Sequence, residues 1–379
     1  MSPLRAIALA ALLLVSSCGK KEAPPLAPAP ADASAASSVS SAASSALAPP
    51  PLEVGPRFIG RFDRSDPASV LFEYPGSTIE ARFRGTSIAL RLREPPGTRN
   101  HFTVVLDDKT QRLDPHGGEG RYVLAEKLDG NEHTARVVRN TEAFIGESRF
   151  LGFDLGAGGA YLPVAPKKRR LLFVGDSITS GYGNEGPGPH CGYDPAQQNA
   201  YVAWGSLTGR SLEADVTLVA FSGGGIYRNN DGDLEDTMPA RFLRTVPTRK
   251  TSVWAFDEPA PDAVVVDLAT NDFAMGAPPR DAFVGAYARF LGDLRSRWPK
   301  TVPVAVLGPM LYGPPLDSAR AWTKEAVKQR AAEGDTVHFL ELAMQDGSDG
   351  YGCQYHPSAA RHRRMATELE KVLRPLLSP

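Results

Sequence analysis

Four short stretches along this chain contain residue types that could carry out acyl transfer. Ser177 stands in a Gly-Asp-Ser turn, Gly223 lies in a run of three glycines, and Asn271 lies in a Thr-Asn-Asp stretch. His356 comes last, just before a terminal amphipathic pattern, where a neutral imidazole could take the serine proton and return it to a leaving group. Glycine N–H groups and an asparagine amide are suitable donors to an oxyanion. Each stretch taken alone is also compatible with an ordinary turn or helix cap.

The first three stretches each follow a predicted buried strand. After residue 166, apolar runs alternate with helical patterns, which predicts a parallel sheet covered by helices on both faces. The predicted strands are 171–174, 216–221, 263–268, 302–307 and 337–340, and the predicted helices are 200–210, 280–297, 319–332 and 357–373. This order predicts a three-layer, flavodoxin-like α/β domain whose ligand crevice lies at the carboxyl ends of the strands.

The region from 54 to 166 has the two-residue periodicity of half-buried strands. Residues 79–84 and 88–93 alternate apolar and charged side chains, and Gly85-Thr86 between them predicts a tight hairpin. Further predicted strands are 102–106, 121–127, 134–138 and 150–155. This many short strands, with no helical pattern, predict an all-β sandwich of jelly-roll type. The histidines of this region do not have the spacing of metal ligands; they are His101, His116 and His133.

The first 53 residues carry signals for export and tethering. Arg5 and the apolar residues 6–15 predict a signal peptide over 1–17, which is too short to remain as a membrane span. The residues up to Cys18 resemble a bacterial lipobox, so we expect lipidation there. In the lipoproteins that this sequence resembles, a residue such as Gly19 after the cysteine favours anchoring in the outer membrane. The protein would then face either the periplasm or the cell surface. The Ala/Pro/Ser-rich composition of 18–53 predicts a disordered tether.

Composition and cysteine number limit the partners of the chain. With 42 Lys+Arg against 43 Asp+Glu and no basic stripe, we expect no nucleic-acid partner, and membrane contact only through the lipid. If Cys18 is lipidated, Cys191 and Cys353 remain, and an exported compartment permits either a disulfide or two free thiols. We expect no metal and no cofactor. The predicted folded domains are the sandwich over 54–166 and the α/β domain over 167–379.

Taken together, the four stretches resemble the SGNH (GDSL-like) hydrolases in order, spacing and position at strand ends. The residues from Ser222 to Asn229 and His356-Pro357-Ser358, after a predicted jelly roll, resemble carbohydrate esterase family 2. The resemblance implies a serine esterase that removes O-acetyl groups from xylan- or glucomannan-type carbohydrate through an acetyl-serine intermediate. It also implies that Ser177 is the nucleophile and His356 the base. The implied oxyanion hole consists of the Ser177 and Gly223 backbone N–H groups and the Asn271 side chain.

The sequence departs from the family pattern at the acid of the catalytic triad. The broad family often has Asp three residues before the histidine, and some members of the narrower family have it two before. Here these positions hold Cys353 and Gln354. A backbone carbonyl can also hold the imidazole N–H, so we predict that the carbonyl of Gln354 orients His356. Asp349 is the alternative acid.

Two other functions remain open from the sequence. One is a lipase- or thioesterase-type member of the same fold, although loops rich in Gly, Asn, Asp and Tyr favour a sugar over an acyl chain. The other is a tethered glycan-binding protein with weak activity, against which the retained Ser177, Gly223, Asn271 and His356 argue. Three aromatic residues are candidates for stacking against a sugar, and the sequence is equally compatible with their burial in the core: Tyr227, Tyr312 and Trp322.

Overall fold

The first part of the chain that the structure describes is built from ten antiparallel strands. The structure is a computed structural model that describes residues 54–377. The predicted signal peptide (1–17), Cys18 and the tether (18–53) lie outside the described residues. The strands are β1 (Arg57–Ile59), β2 (Val70–Phe72), β3 (Thr78–Arg84), β4 (Ser87–Glu94), β5 (Phe102–Leu106), β6 (Lys109–Leu113), β7 (Gly118–Glu126), β8 (Glu132–Arg139), β9 (Ser148–Asp154) and β10 (Ala160–Leu162).

These strands form a jelly roll. One sheet has the order β1-β3-β8-β5-β6, with β10 also paired to β3, and the other has the order β2-β9-β4-β7. Their inner faces bury a shared apolar core in which Phe83, Leu90 and Phe102 are completely inaccessible. The alternation of apolar and charged residues therefore has its expected cause, since one face of each strand packs against the opposite sheet.

The predicted hairpin at Gly85-Thr86 is wrong. β3 pairs with β8 in one sheet, whereas β4 pairs with β7 and β9 in the other, so the two residues form a corner where the chain changes sheets. A corner and a hairpin preserve the same alternation on both sides. The local sequence therefore cannot distinguish them, and the pairing partners that decide the outcome are far away in the chain.

The second part is a three-layer α/β fold with a five-stranded parallel sheet. Its elements are β11 (Arg169–Gly175), α1 (Ser177–Ser180), α2 (Trp204–Ser211), β12 (Ala214–Ala220), α3 (Met238–Arg241), β13 (Ala263–Asp267), α4 (Arg280–Arg297), β14 (Val302–Leu307), α5 (Gly313–Ala332), β15 (His338–Glu341) and α6 (Ala359–Leu376). The order β12-β11-β13-β14-β15 is the flavodoxin-like order. The sheet is buried on both faces, by a core with α4 and α5 and by another with α2 and α6.

Differences from the predicted elements occur at short segments and at ends. The four strands β1, β2, β6 and β10 and the four-residue helices α1 and α3 were not predicted, because three to five residues carry too little periodicity. The last helix begins at Ala359 instead of 357, because the hydroxyl of Ser358 accepts the Arg361 N–H as its N-cap. Among the described residues, no helix is both long and apolar enough to cross a bilayer.

Buried polar contacts join the sandwich to the α/β part. His101 lies 2.9 Å from the Pro195 carbonyl oxygen through Nε2, and Asn140 accepts the backbone N–H of Ala200 at 3.2 Å. The completely buried Arg61 donates to the Phe242 carbonyl at 2.5 Å. Since unpaired polar groups are costly to bury, these bonds hold the sandwich against the chain between α1 and α2 and against the end of α3.

Candidate active site

Ser177 lies where β11 ends and α1 begins. The carboxylate of Asp176 caps this short helix by accepting the Ile178 N–H at 2.9 Å, and the helix ends at Gly181 with a left-handed φ of 82°. The turn is sharp and leaves Ser177 only 7% exposed. β11 lies between β12 and β13. The chain adds β12 on one side of β11 and then β13, β14 and β15 on the other side, so Ser177 at the end of β11 occupies the switch point of the sheet.

His356 approaches Ser177 from the loop before α6. Its Nε2 is 2.8 Å from the Ser177 hydroxyl oxygen, and its Nδ1 is 3.1 Å from the carbonyl oxygen of Cys353. Burial lowers the pKa of the imidazole to about 4, against the backbone carbonyls of Cys353 and Gln354, which raise it. The ring is therefore neutral near pH 7, with the proton on Nδ1 and with Nε2 free to accept from the serine.

The carbonyl that orients the imidazole belongs mainly to Cys353, which corrects the prediction of Gln354. The Gln354 carbonyl supports the imidazole as a second acceptor, while its side-chain oxygen accepts the Tyr182 hydroxyl at 2.6 Å. The difference of one residue has a backbone cause: Gln354 and Tyr355 adopt left-handed conformations with φ of 51° and 60°. Two consecutive residues of this kind reverse the direction of the local carbonyls, and side-chain patterns do not predict them.

Asp349, the alternative acid, does not reach the histidine. Its carboxylate lies 3.3 Å from Arg364 and 3.8 Å from Arg361, on the first turns of α6. Both ring nitrogens of His356 already have other partners, the Ser177 hydroxyl and the Cys353 carbonyl. The geometry is therefore that of a serine–histidine dyad with a main-chain acceptor.

Asn271 follows β13 and points at the Gly-Asp-Ser turn. Its side-chain nitrogen donates to the Asp176 carboxylate at 2.8 Å and to the Gly224 carbonyl at 3.0 Å. Both N–H groups are thus engaged within the protein, so donation to an oxyanion would require exchange of the Gly224 contact. Ala269 begins this loop with φ of 135°, a conformation that is strained for alanine and typical of functional loops.

Gly223 stands at the start of the loop after β12, where glycine is required. Its φ is 80°, and a Cβ atom there would lie 2.7 Å from the side-chain oxygen of Asn230. The rest of the loop is held by Asp272, whose carboxylate accepts three backbone N–H groups, from Ile226, Tyr227 and Arg228. Burial raises the pKa of Asp272 to about 6, against these hydrogen bonds, which lower it.

Glu142 is a residue of the site that the sequence analysis missed. It lies in the sandwich just after β8 and is completely buried. Its carboxylate accepts the hydroxyls of Ser180, three residues after the nucleophile, and Ser222, directly before Gly223. Burial raises its pKa, against the two serine hydroxyls, which lower it. No local signal points to it, because its partners lie 38 and 80 residues away.

A pair of stacked tyrosines lies beside the histidine. Tyr182 packs against the His356 ring at 4.3 Å between centroids and stacks on Tyr193 at 4.6 Å. Tyr355, directly before the histidine, is 50% exposed. Tyr182 and Tyr193 thus form an apolar but hydroxyl-bearing surface beside the imidazole, of the kind that packs against sugar rings.

The three aromatic residues for which both burial and stacking were open differ in accessibility. Trp322, on α5, is partly buried and packs against Phe273 and Phe283 at the edge of the core, with ring centroids 5.5 and 5.9 Å apart. Tyr227 is partly buried and packs against the same core. Tyr312 is 46% exposed and donates its hydroxyl to the Gln345 carbonyl at 2.9 Å, so its ring remains accessible.

A disulfide joins Cys191 and Cys353. It connects the loop after α1 with the turn that carries the His356 acceptor. The backbone N–H of Cys353 also donates to the Gly183 carbonyl at 3.0 Å. Two bonds therefore fix the carbonyl of Cys353 relative to the chain that follows Ser177.

Comparisons with known proteins fit this geometry. The model described as Carbohydrate esterase 2 N-terminal matches residues 58–165, and that of the GDSL-like Lipase/Acylhydrolase family matches residues 173–364. A family two carbohydrate esterase from Clostridium thermocellum, solved in complex with cellohexaose, superposes with a TM-score of 0.81. It is 33% identical, over 85% of this chain and 99% of that one. The chain belongs to carbohydrate esterase family 2. It is therefore a carboxylic ester hydrolase with carbohydrate esterase activity.

Two curated relatives carry more specific names. The cellulase/esterase CelE of Acetivibrio thermocellus is 34% identical over 82% of this chain, which spans only 38% of that relative's length. An acetylxylan esterase / glucomannan deacetylase of Cellvibrio japonicus is 28% identical over 85% of this chain and 90% of the relative. These names describe the relatives.

Proposed function

We propose that this family member removes O-acetyl groups from acetylated xylan- or glucomannan-type carbohydrate through an acetyl-serine intermediate. The observation that carries the proposal is the 2.8 Å contact between the Ser177 hydroxyl and His356 Nε2, beside the glycine loop after β12. The name of the relative from Cellvibrio japonicus supports the substrate class. The tyrosines around the histidine support a sugar over a long acyl chain.

The geometry supports a two-step reaction. Ser177 Oγ attacks the acetyl carbonyl carbon while His356 Nε2 takes its proton, and the charge that develops on the carbonyl oxygen faces the N–H groups of Ser177 and Gly223. The imidazolium then protonates the sugar oxygen as its bond to the acetyl carbon breaks, which releases the sugar with a free hydroxyl and leaves an acetyl ester on Ser177. A water molecule attacks this ester with His356 again as base, and collapse of the intermediate releases acetate and the free serine.

Acetate release provides the test. Wild type and Ser177→Ala are incubated with acetylated xylan, acetylated glucomannan, O-acetylated peptidoglycan and nitrophenyl esters of increasing chain length. Ser206→Ala on α2 serves as a control serine outside the site. We expect release from the two plant polysaccharides and nitrophenyl acetate by wild type and the control, and almost none by Ser177→Ala. A preference for long acyl chains would instead favour the lipase-type alternative, and binding of the polysaccharides without release would favour the glycan-binding alternative.

We also propose that the enzyme is a lipoprotein exported to the outer membrane. The support is in the sequence: the short apolar segment, the residues before Cys18 and the Ala/Pro/Ser-rich stretch after it. Cys18→Ser should move the protein from the membrane fraction to the soluble exported fraction. Unchanged fractionation would contradict the proposal.

A further inference from the structure

Glu142 is a sandwich residue whose carboxylate lies inside the catalytic half of the molecule. It precedes a single 3-10 turn, Ala143–Ile145, after β8, and its side chain is inaccessible to solvent. Isolated carboxylates are expensive to bury, so their partners indicate what the fold gains from them. The partners of Glu142 are in the loops that carry the nucleophile and the oxyanion glycine.

One carboxylate oxygen joins the two loops. Oε1 accepts the hydroxyl of Ser180, at the end of α1, and the hydroxyl of Ser222, the residue before Gly223. Oε2 lies 3.4 Å from the Ser222 backbone nitrogen. The positions of Ser177 and Gly223 relative to each other therefore depend on a group from outside the α/β fold.

The carboxylate is itself held in place. The Glu142 backbone N–H donates to the Gln198 side-chain oxygen at 3.2 Å, and the Gln198 amide donates to the Ser180 carbonyl at 3.2 Å. The buried Arg139 donates to the Glu142 carbonyl at 2.9 Å and supplies a compensating positive charge. A group fixed on both sides can impose a position on its neighbours, as preorganised catalysis requires.

We propose that Glu142 is a positioning residue that sets the oxyanion hole, acting through Ser222 and Ser180. This proposal rests on the proposed function and makes the sandwich an integral part of the catalytic centre. Glu142 contributes no group to the reacting atoms. It fixes where the Gly223 N–H stands when charge develops on the carbonyl oxygen.

Glu142→Gln is the informative change because it preserves size but removes the negative charge. A neutral amide oxygen accepts the hydroxyls of Ser180 and Ser222 more weakly than a carboxylate does, and the new amide N–H group would face the Ser222 N–H, so the link between the two loops is weakened while the core remains filled. A misplacement of about 1 Å can reduce catalysis by about 10²-fold. We therefore expect kcat to fall by roughly 10- to 100-fold with KM for nitrophenyl acetate changed by less than about threefold.

Glu73 is a matched control. It is also a buried sandwich carboxylate, 3% exposed, and it accepts the hydroxyl of Thr248 at 2.7 Å and its backbone N–H at 3.3 Å. Thr248 lies between α3 and β13, outside the candidate site. Glu73→Gln therefore removes the same kind of contact between the two parts of the molecule without touching the oxyanion loop.

The experiment compares wild type, Glu142→Gln and Glu73→Gln in full-length protein, with circular dichroism and thermal unfolding as measures of folding. The readouts are kcat and KM for nitrophenyl acetate and the rate at which a fluorophosphonate labels Ser177. We expect kcat and the labelling rate to fall in Glu142→Gln and to stay at the wild-type level in Glu73→Gln. Equal rates in the two folded variants, or a kcat for Glu142→Gln within threefold of wild type, would overturn the proposal.

The labelling rate separates this inference from the proposed function. It depends on the nucleophile, the base and the oxyanion donors, but on no carbohydrate. If wild type fails to deacetylate polysaccharides while Glu142→Gln still slows labelling, the proposed substrate is wrong and the positioning role stands. If Glu142→Gln does not fold, Ser222→Ala replaces it, and a labelling rate equal to wild type in that variant would overturn the proposal.

Discussion

The absence of a triad acid can be tested at Asp349, the only candidate acid that the sequence suggested. Its carboxylate is paired with Arg364 at 3.3 Å and Arg361 at 3.8 Å, and His356 makes its Nδ1 bond to a main-chain carbonyl. Asp349→Asn should therefore leave kcat and KM within about threefold of wild type. Its free energy of unfolding should fall by about 0–1 kcal/mol, the usual contribution of partly exposed ion pairs.

The alternative outcome is larger by orders of magnitude. Where a triad depends on its acid, loss of the carboxylate lowers kcat by about 10⁴. Steady-state hydrolysis of nitrophenyl acetate distinguishes these outcomes easily, with His356→Ala as the variant that should lose nearly all activity. Gln354→Ala should also keep most of its activity, because the main-chain carbonyls remain and only the contact to Tyr182 is lost. A loss of 10³ or more in folded Asp349→Asn would refute the dyad.

Three further outcomes follow from the site geometry. Cys191→Ser opens a bridge across 162 residues and should lower the free energy of unfolding by up to about 5 kcal/mol in denaturant titrations, whereas a loss below about 1 kcal/mol would contradict this. Asn271→Ala should lower kcat by roughly 10²–10³ with little change in KM, and a change in KM alone would exclude an oxyanion role. Because hydrolysis needs a neutral imidazole and burial lowers the pKa of His356 to about 4, kcat/KM should decline only as the pH falls toward 4; a decline centred at pH 6.5 or above would contradict this.

The sequence was sufficient where function depends on the ends of strands. Ser177, Gly223 and Asn271 each follow an apolar run, and the carboxyl ends of parallel strands meet at one edge, so their proximity could be predicted. His356 could be placed by its position before the last helix and by resemblance to the family.

The sequence was insufficient where the geometry depends on distant partners or on backbone direction. Because Gln354 and Tyr355 have left-handed backbone conformations, the nearest acceptor of the His356 ring is the carbonyl of Cys353 instead of the predicted carbonyl of Gln354. Glu142 could not be found because its partners come from other layers of the fold. The packing of Trp322 could not be predicted either, because its ring partners Phe273 and Phe283 are distant in the sequence.

The central claim is that acetyl passes from carbohydrate to Ser177 with His356 as the base. Rapid quenching after mixing with an acetylated oligosaccharide, followed by peptide mass spectrometry, measures this transfer directly. We predict an acetyl group on the peptide containing Ser177 in wild type, a strongly reduced amount in His356→Ala and none in Ser177→Ala. Release of acetate by Ser177→Ala at the wild-type rate would contradict the account.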